Sequence, residues 1–403
     1  MKYDFTSILD RRHHDALALD RIGKGGNAPD LPKEGFDVIP MWVADMNFPV
    51  APSITKALEE RIAHPAYGYF EESDAYYDAI IHWHTKRNHV SGLEKKHIGY
   101  ENGVLGGVIS ALNVFCSKGD CVLLHSPTYI GFTSCLTNNG YKIIHSPLYK
   151  DEEGIWRMNY EDMENKIKEH RIHAAILCSP YNPTGRVWER EELEKAIALF
   201  EKYQVNIVSD EIWSDLTLED YQHIPTQSIN EYAKEHTVAL YAPTKTFNLA
   251  GLVGSYHIIY NDWLRERVAK EASLSHYNEI NVLSMHALIG AYQKEGEEWV
   301  EELKQVLSEN VNYGVTFIND HFKGVEVAKP QGTYMLYLEC EEYCKKHNCS
   351  IEDVLKAGWE VGVGWQDGRP FHGPYAIRMN LASPKSRIEE AFMRLHKYVF
   401  KES

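Results

Sequence analysis

The sequence predicts an α/β fold: a largely parallel sheet covered by helices on both faces. Between roughly residues 95 and 260, short apolar runs alternate with amphipathic helical segments, which is the pattern of successive βαβ units. The runs are Cys121–His125, Lys142–Ser146, Ala174–Ser179, Val205–Ser209, Val238–Ala242 and Ser255–Tyr260. Each is short enough for a buried strand, although periodicity alone does not separate a buried strand from a buried helical turn. The helical segments include Gly106–Phe115, Tyr160–Glu169 and Arg190–Tyr203.

With 403 residues, the chain is too long for one compact domain. A charged amphipathic stretch from Glu295 to His321 leads into a C-terminal part. That part has strand-like runs at Tyr334–Leu338 and Ala376–Leu381, and a final helix near Arg387–Phe400. The first fifty residues lack βαβ character and are expected to pack with the C-terminal part. The expected division is a large domain over 51–290, with a smaller α+β domain formed by 1–50 and 291–403.

Charge and composition exclude several classes. The 58 acidic against 42 basic residues give a net −16, which argues against nucleic acid or an anionic membrane as partner. Met1–Asp10 has no signal-peptide progression, and no apolar run approaches a membrane span. A cytoplasmic protein with seven reduced cysteines is therefore expected. Cys340, Cys344, His347 and Cys349 lie close together but contain no CxxC pair, so no metal is expected. The pairs His13–His14 and His82/His84 read as surface residues. Trp359, Trp365 and Phe371 read as packing of the smaller domain, with Trp365 a secondary candidate for lining a pocket. No Walker A, GxGxxG or HExxH pattern occurs.

Three polar residues fall just past predicted strands. Asn182 lies in Pro-Tyr-Asn-Pro-Thr-Gly after one run, Asp210 directly follows the next, and Lys245 ends the Pro-Thr-Lys after a third. Singly, they read as a turn residue, a helix N-cap and a surface lysine. Together they point into the crevice beyond the carboxyl ends of a parallel sheet. A desolvated lysine amine forms an imine with a cofactor aldehyde. A carboxylate beneath a pyridine nitrogen keeps the ring an electron sink. That set suits pyridoxal 5′-phosphate (PLP). Upstream, Asn102-Gly103-Val104-Leu105-Gly106-Gly107 follows the helix-breaking segment Ile98–Glu101 and opens an apolar helix. Such a helix start can hold a phosphate, or be simple helix entry. Tyr129, after Cys121–His125, is placed to stack on a flat ring.

The segments SPYNPTGRVW (179–188), SDEIWSDL (209–216), APTKTFNLAGL (242–252) and IRMNLASP (377–384) resemble the class I/II aminotransferase superfamily of fold-type I PLP enzymes. MWVADMNFP (41–49) and YGYF (67–70) narrow the resemblance to the MalY/PatB-type cystathionine β-lyase branch. The similarity spans nearly the whole chain. It implies a large domain with a seven-stranded-type, mostly parallel sheet, and a homodimer with the active site at the subunit interface. It also implies roles. Lys245 would be the Schiff-base lysine and proton carrier, Asp210 the partner of the ring nitrogen, Asn182 of the ring oxygen, and Tyr129 the stacking ring. The backbone of Val104 and Leu105 would hold the phosphate, with Tyr67 contributed by the partner subunit. Arg378 would grip the substrate carboxylate, with the main chain at Val43–Ala44 close by. The implied reaction is β-elimination from cystathionine, cysteine or S-substituted cysteines to thiol, pyruvate and ammonia. An aminotransferase, or a PLP-containing regulatory protein, is the alternative.

Some positions depart from the pattern. Ala242 stands where many relatives carry a phosphate-binding Ser, leaving Thr244 as a substitute hydroxyl. Trp213 replaces the usual Tyr or His near the ring oxygen, and Ile130 follows Tyr129 where some C–S lyases have a second tyrosine.

Overall fold

The computed structural model describes residues 1–274 and 278–401. Seven strands form the main sheet: β1 (Ile98–Glu101), β2 (Cys121–Ser126), β3 (Lys142–Pro147), β4 (Ala174–Cys178), β5 (Asn206–Asp210), β6 (Thr237–Tyr241) and β7 (Ser255–Ile258). Their spatial order is β1-β7-β6-β5-β4-β2-β3. Pairings from β3 through β6 are parallel, while β7 runs antiparallel to both of its neighbours. Every residue of β4 and β6 is buried, as central parallel strands covered on two faces require. The apolar runs therefore locate six strands to within one or two residues. The seventh, β1, was read only as a helix-breaking segment. Four residues at a sheet edge are too few for a period to show.

The chain runs outward from β2 to β3, then crosses back to place β4 on the other side of β2. The carboxyl ends of β2 and β4 thus flank a topological switch point, where α/β sheets leave a crevice. Tyr129 follows β2 and Asn182 follows β4.

A 28-residue helix, Lys294–His321, leads to a four-stranded antiparallel sheet of Glu326–Val327, Met335–Glu339, Ala376–Asn380 and Gln366–Asp367. The helix buries Trp299, Val300, Leu303, Val306, Leu307, Val311 and Ile318, an apolar stripe whose members recur at three- and four-residue spacing. The N-terminal segment joins this region: Ile39–Pro40 pairs in parallel with Val363–Gly364. One core fills the main sheet and its helices between Val104 and Val268. The other joins N- and C-terminal segments to residues such as Ile54, Trp83 and Phe247. His84 corrects an expectation. It is buried, 2.9 Å from the Tyr256 hydroxyl, and burial pushes it down to about 4.

The loop after β4 is tied to the second sheet at Gly185, whose carbonyl accepts both Gln331 N–H and Gly332 N–H at 2.9 Å. Gly185 has φ +73°, and a Cβ there would lie 2.3 Å from Pro330 Cβ and 2.8 Å from the Gly332 carbonyl oxygen. Gly185→Ala should destabilise the protein by about 2–4 kcal/mol, combining strained backbone with overpacking. The lowered urea midpoint will measure it.

Candidate active site

Lys245 sits in a single helical turn, Pro243–Thr246, directly after β6. Two anchors fix that turn. The Thr246 hydroxyl donates to Asp215 at 3.0 Å, and Asp215 also accepts from Trp83 Nε1 at 3.0 Å and Arg87 Nε at 3.1 Å. Phe247 is fully buried among the rings of Trp83, Tyr292 and Trp299, a burial contributing roughly 1.5–3 kcal/mol. Thr244 is buried in the same turn, its carbonyl accepting the Leu249 N–H.

The Lys245 amine donates to the Ala44 carbonyl at 2.9 Å and lies 5.8 Å from the centre of the Trp213 ring. Ala44 belongs to the N-terminal segment, which is held from several sides. Asn380 Nδ2 donates to the carbonyls of Val43 and Asp45, both at 2.6 Å. Asn248 accepts the Met46 N–H and donates to the Met46 carbonyl. Arg11 pairs with Asp45 at 2.6 Å and donates to the Met46 carbonyl at 3.0 Å.

Arg378, in the middle of strand Ala376–Asn380, is 3% exposed. Its Nη1 donates to Asn182 Oδ1 at 3.0 Å, and its Nη2 to the Trp42 carbonyl at 3.1 Å and to Gln366 Oε1. Phe371 lies under the guanidinium, 4.6 Å from ring centre to Cζ. Arg378 Nε is buried without a hydrogen-bond partner among the described residues. The Trp42–Ala44 main chain therefore accepts from both the half-buried lysine and the buried arginine.

Asp210 ends β5, and its carboxylate accepts the Ile212 N–H at 3.1 Å. Burial pushes it up to about 7. Its neighbour Glu211 is also buried, but is satisfied by His223 at 2.6 Å, Tyr241 at 2.6 Å and Ser209 at 2.8 Å. Burial, then the Arg378 charge, lowers Lys245 to about 8. Burial lowers Arg378 to about 10.

The helix Val104–Phe115 starts after Gly103 (φ +81°), and no side chain caps it. Among the described residues its first N–H groups, at Val104 and Leu105, have no hydrogen-bond partner, as a helix N-terminus requires to hold an anion. Tyr129 occupies the N-cap of the helix Ile130–Asn138, and its ring lies over Gly131, where a Cβ would come within 2.3 Å of it.

A sequence profile described as "Aminotransferase class I and II" matches residues 37–395. The chain belongs to this family. It is 34% identical over 362 residues to "Cystathionine beta-lyase PatB" of Bacillus subtilis (strain 168), covering 89% of this chain and 92% of that protein. Among solved structures, a PLP-bound "putative aminotransferase" from Clostridium difficile 630 superposes with a TM-score of 0.89 at 33% identity, covering 98% and 99% of the two chains. The PLP-bound C-S lyase from Staphylococcus hominis gives 0.88 at 27% identity, covering 100% and 99%. The fold matches the fold-type I enzymes of the family.

Of the family positions identified in the sequence, the structure links Lys245, Ala44, Arg378 and Asn182 through direct contacts or the shared Trp42–Ala44 segment. Asp210 bears electrostatically on Lys245, and Arg378 and Asp210 on Tyr129. Tyr67 is not brought in by its own chain: it is 56% exposed, with its hydroxyl donating to the Ile62 carbonyl at 3.2 Å. Trp213 is buried edge-on to Tyr334 beside the lysine. Trp365 is fully buried and donates to the Leu355 carbonyl, so packing is its role. Phe371 packs too, but against the guanidinium itself. Gln366, Arg11, Asp45, Asn248 and Asn380 were missed as site residues. Three of them, Asp45, Asn248 and Asn380, stand inside the quoted family motifs, which was the available signal. Gln366 carried none, because only strand pairing sets it beside Arg378.

A lysine whose pKa falls on folding contributes full stability only above its unfolded value near 10.5, and that stability is lost as pH falls through about 8. Lys245→Met should therefore stabilise the ligand-free protein at pH 7 by about 1–2 kcal/mol once partial exposure is discounted, read as a raised urea midpoint. The gain should shrink toward pH 10. An equal midpoint for both proteins at pH 7 would count against this electrostatic picture.

Proposed function

We propose that the chain is a PLP-dependent carbon–sulfur β-lyase. It would cleave cystathionine, cysteine or S-substituted cysteines, with water, to thiol, pyruvate and ammonia. The observation that carries this reading is the half-buried Lys245 and the buried Arg378 resting on one main-chain segment, with a carboxylate at the neighbouring strand end that accepts only the Ile212 N–H among the described residues. The donor set fits PLP. Lys245 supplies an amine depressed to about 8, and Asp210 a buried carboxylate pushed up to about 7 in the ligand-free protein. Among the described residues only the oxygen of the Asn182 side chain is engaged, by Arg378, which leaves its amide N–H₂ to donate.

When bound, PLP supplies an aldehyde that an amine captures reversibly and a protonated ring that withdraws electrons from the substrate α-carbon. Asp210 would then hold the proton on the ring nitrogen, and that positive charge would return the carboxylate to its ionised form. Asn182 would donate to the ring 3′-oxygen, and Tyr129 would cover one ring face. The N–H groups of Val104 and Leu105 would hold the phosphate, with Thr244 and the partner subunit's Tyr67 contributing hydroxyls. Exposure of Tyr67 with its neighbours Tyr69 and Phe70 supports a homodimer completing the site. Arg378 would bind the substrate carboxylate as a fork, which a lysine cannot copy. Lys245 Nζ, released from the Ala44 carbonyl, would take the Cα proton; an amine with a pKa near the working pH is suited to both removal and return. In this reading residues 51–290 form the cofactor domain, and 1–50 with 291–403 form the smaller domain. The pairing of Ile39–Pro40 with Val363–Gly364 supports that division.

The rival, an aminotransferase, draws on the family description and on the Clostridium difficile neighbour. It requires a keto-acid acceptor. PLP-loaded protein given cystathionine alone should release pyruvate and thiol continuously; turnover only with added keto acid would overturn the lyase. Borohydride reduction and peptide mapping should place the cofactor label on Lys245 and nowhere else. Arg378→Lys should lower kcat/KM by roughly 10- to 100-fold, the loss of a two-point charged contact.

A further inference from the structure

Arg378 presents five N–H bonds, and their assignment leaves an unusual remainder. Nη1 gives one to Asn182. Nη2 gives both of its N–H bonds away, to the Trp42 carbonyl and to Gln366 Oε1. Nε is buried and gives its bond to no partner among the described residues. A carboxylate gripped by two parallel bonds can use only two edges of a guanidinium, Nε with Nη2 or Nη1 with Nη2, because the side-chain carbon blocks the third. Both edges include Nη2. A two-point grip therefore requires either the Trp42 carbonyl or Gln366 to let go.

These acceptors are not equally able to move. The Trp42 carbonyl belongs to a segment whose neighbours are pinned: Met41 N–H donates to the Gly364 carbonyl at 2.9 Å, the Met41 carbonyl accepts Asn380 N–H at 2.8 Å, and the Trp42 indole donates to the Ala18 carbonyl at 2.9 Å. Gln366 holds Arg378 with a half-buried side-chain amide. It reaches it from the adjacent antiparallel strand, where Gln366 and Arg378 are register partners. Rotation of that side chain frees Nη2 without moving main chain.

We propose that Gln366 is a resident acceptor that occupies Arg378 until a substrate carboxylate displaces it, and so sets how tightly carboxylates bind. This rests on the reading of Arg378 as the carboxylate anchor. Gln366 is a positioning residue: it acts on substrate through the arginine. Removing its oxygen leaves the buried guanidinium with one more unfilled N–H, on Nη2, which a carboxylate then fills without competition. Replacing the amide by a carboxylate installs a competitor that carries charge.

The test uses holoprotein and propionate, a carboxylate without an amine, with propionamide as control; thermal-shift titration gives affinity, and cystathionine kinetics give KM and kcat separately. Gln366→Leu should bind propionate about 3- to 10-fold more tightly, the range of one displaced hydrogen bond. KM should fall by a similar factor while kcat stays within about twofold. Gln366→Glu, nearly isosteric, should bind propionate at least about 10-fold more weakly. Propionamide should not distinguish the three proteins. Unchanged or weaker propionate binding by Gln366→Leu, wild-type affinity in Gln366→Glu, or no propionate binding by any of them would overturn the proposal. If Gln366→Leu fails to fold, Gln366→Glu decides alone. The propionate arm needs no turnover, so failure of the lyase reading would appear separately, as inactive wild-type protein that still binds propionate.

Discussion

Two cations that folding removes from water share one short stretch of main chain. The Lys245 amine rests on the Ala44 carbonyl and Arg378 on the Trp42 carbonyl. Among the described residues neither cation forms a close side-chain ion pair, so each depends on neutral acceptors whose placement must be accurate. The stretch supplying them is bent, non-repetitive chain outside any helix or strand. Its position comes from elsewhere: from Asn380 in the small sheet, Asn248 after the lysine turn, and Arg11 near the N-terminus. Loss of any of these would loosen both cations together.

The same logic explains why the strand ends are so heavily anchored. Desolvation moves the pKa values of Lys245, Asp210 and Arg378 toward their neutral forms, so burying the charged groups works against the ligand-free fold. Aromatic packing around Phe247 and the bonds converging on Asp215 offset that cost beneath the lysine. Glu211 shows the contrast. One residue from Asp210 and equally buried, it is saturated by His223, Tyr241 and Ser209 and stabilises the strand end. Asp210 is left with capacity to spare, which is where a ligand's charge can act.

The sheet was legible because its strands are buried on both faces, and continuous apolar runs between helices have few other readings. The edge strand Ile98–Glu101 was not, since half its environment is open and its length is four residues. The antiparallel sense of Ser255–Ile258 was equally hidden, because a fully buried strand looks the same in either direction. His84 was misread for a related reason: its spacing from His82 said nothing about Tyr256, which approaches it from a strand 172 residues away.

By itself the sequence singled out the residues proposed to carry chemistry: Lys245, Asp210, Asn182, Tyr129 and Arg378 follow from strand ends and motif, since such groups stand at positions set locally by strand and turn. Tertiary structure alone decided what holds them. Gln366 reaches Arg378 through strand pairing, Ala44 reaches Lys245 across 201 residues, and Asp45, Asn248 and Asn380 brace the main chain around Val43–Met46. A hydrogen bond between distant segments leaves no period or spacing in the chain, because its geometry exists only once both segments are packed.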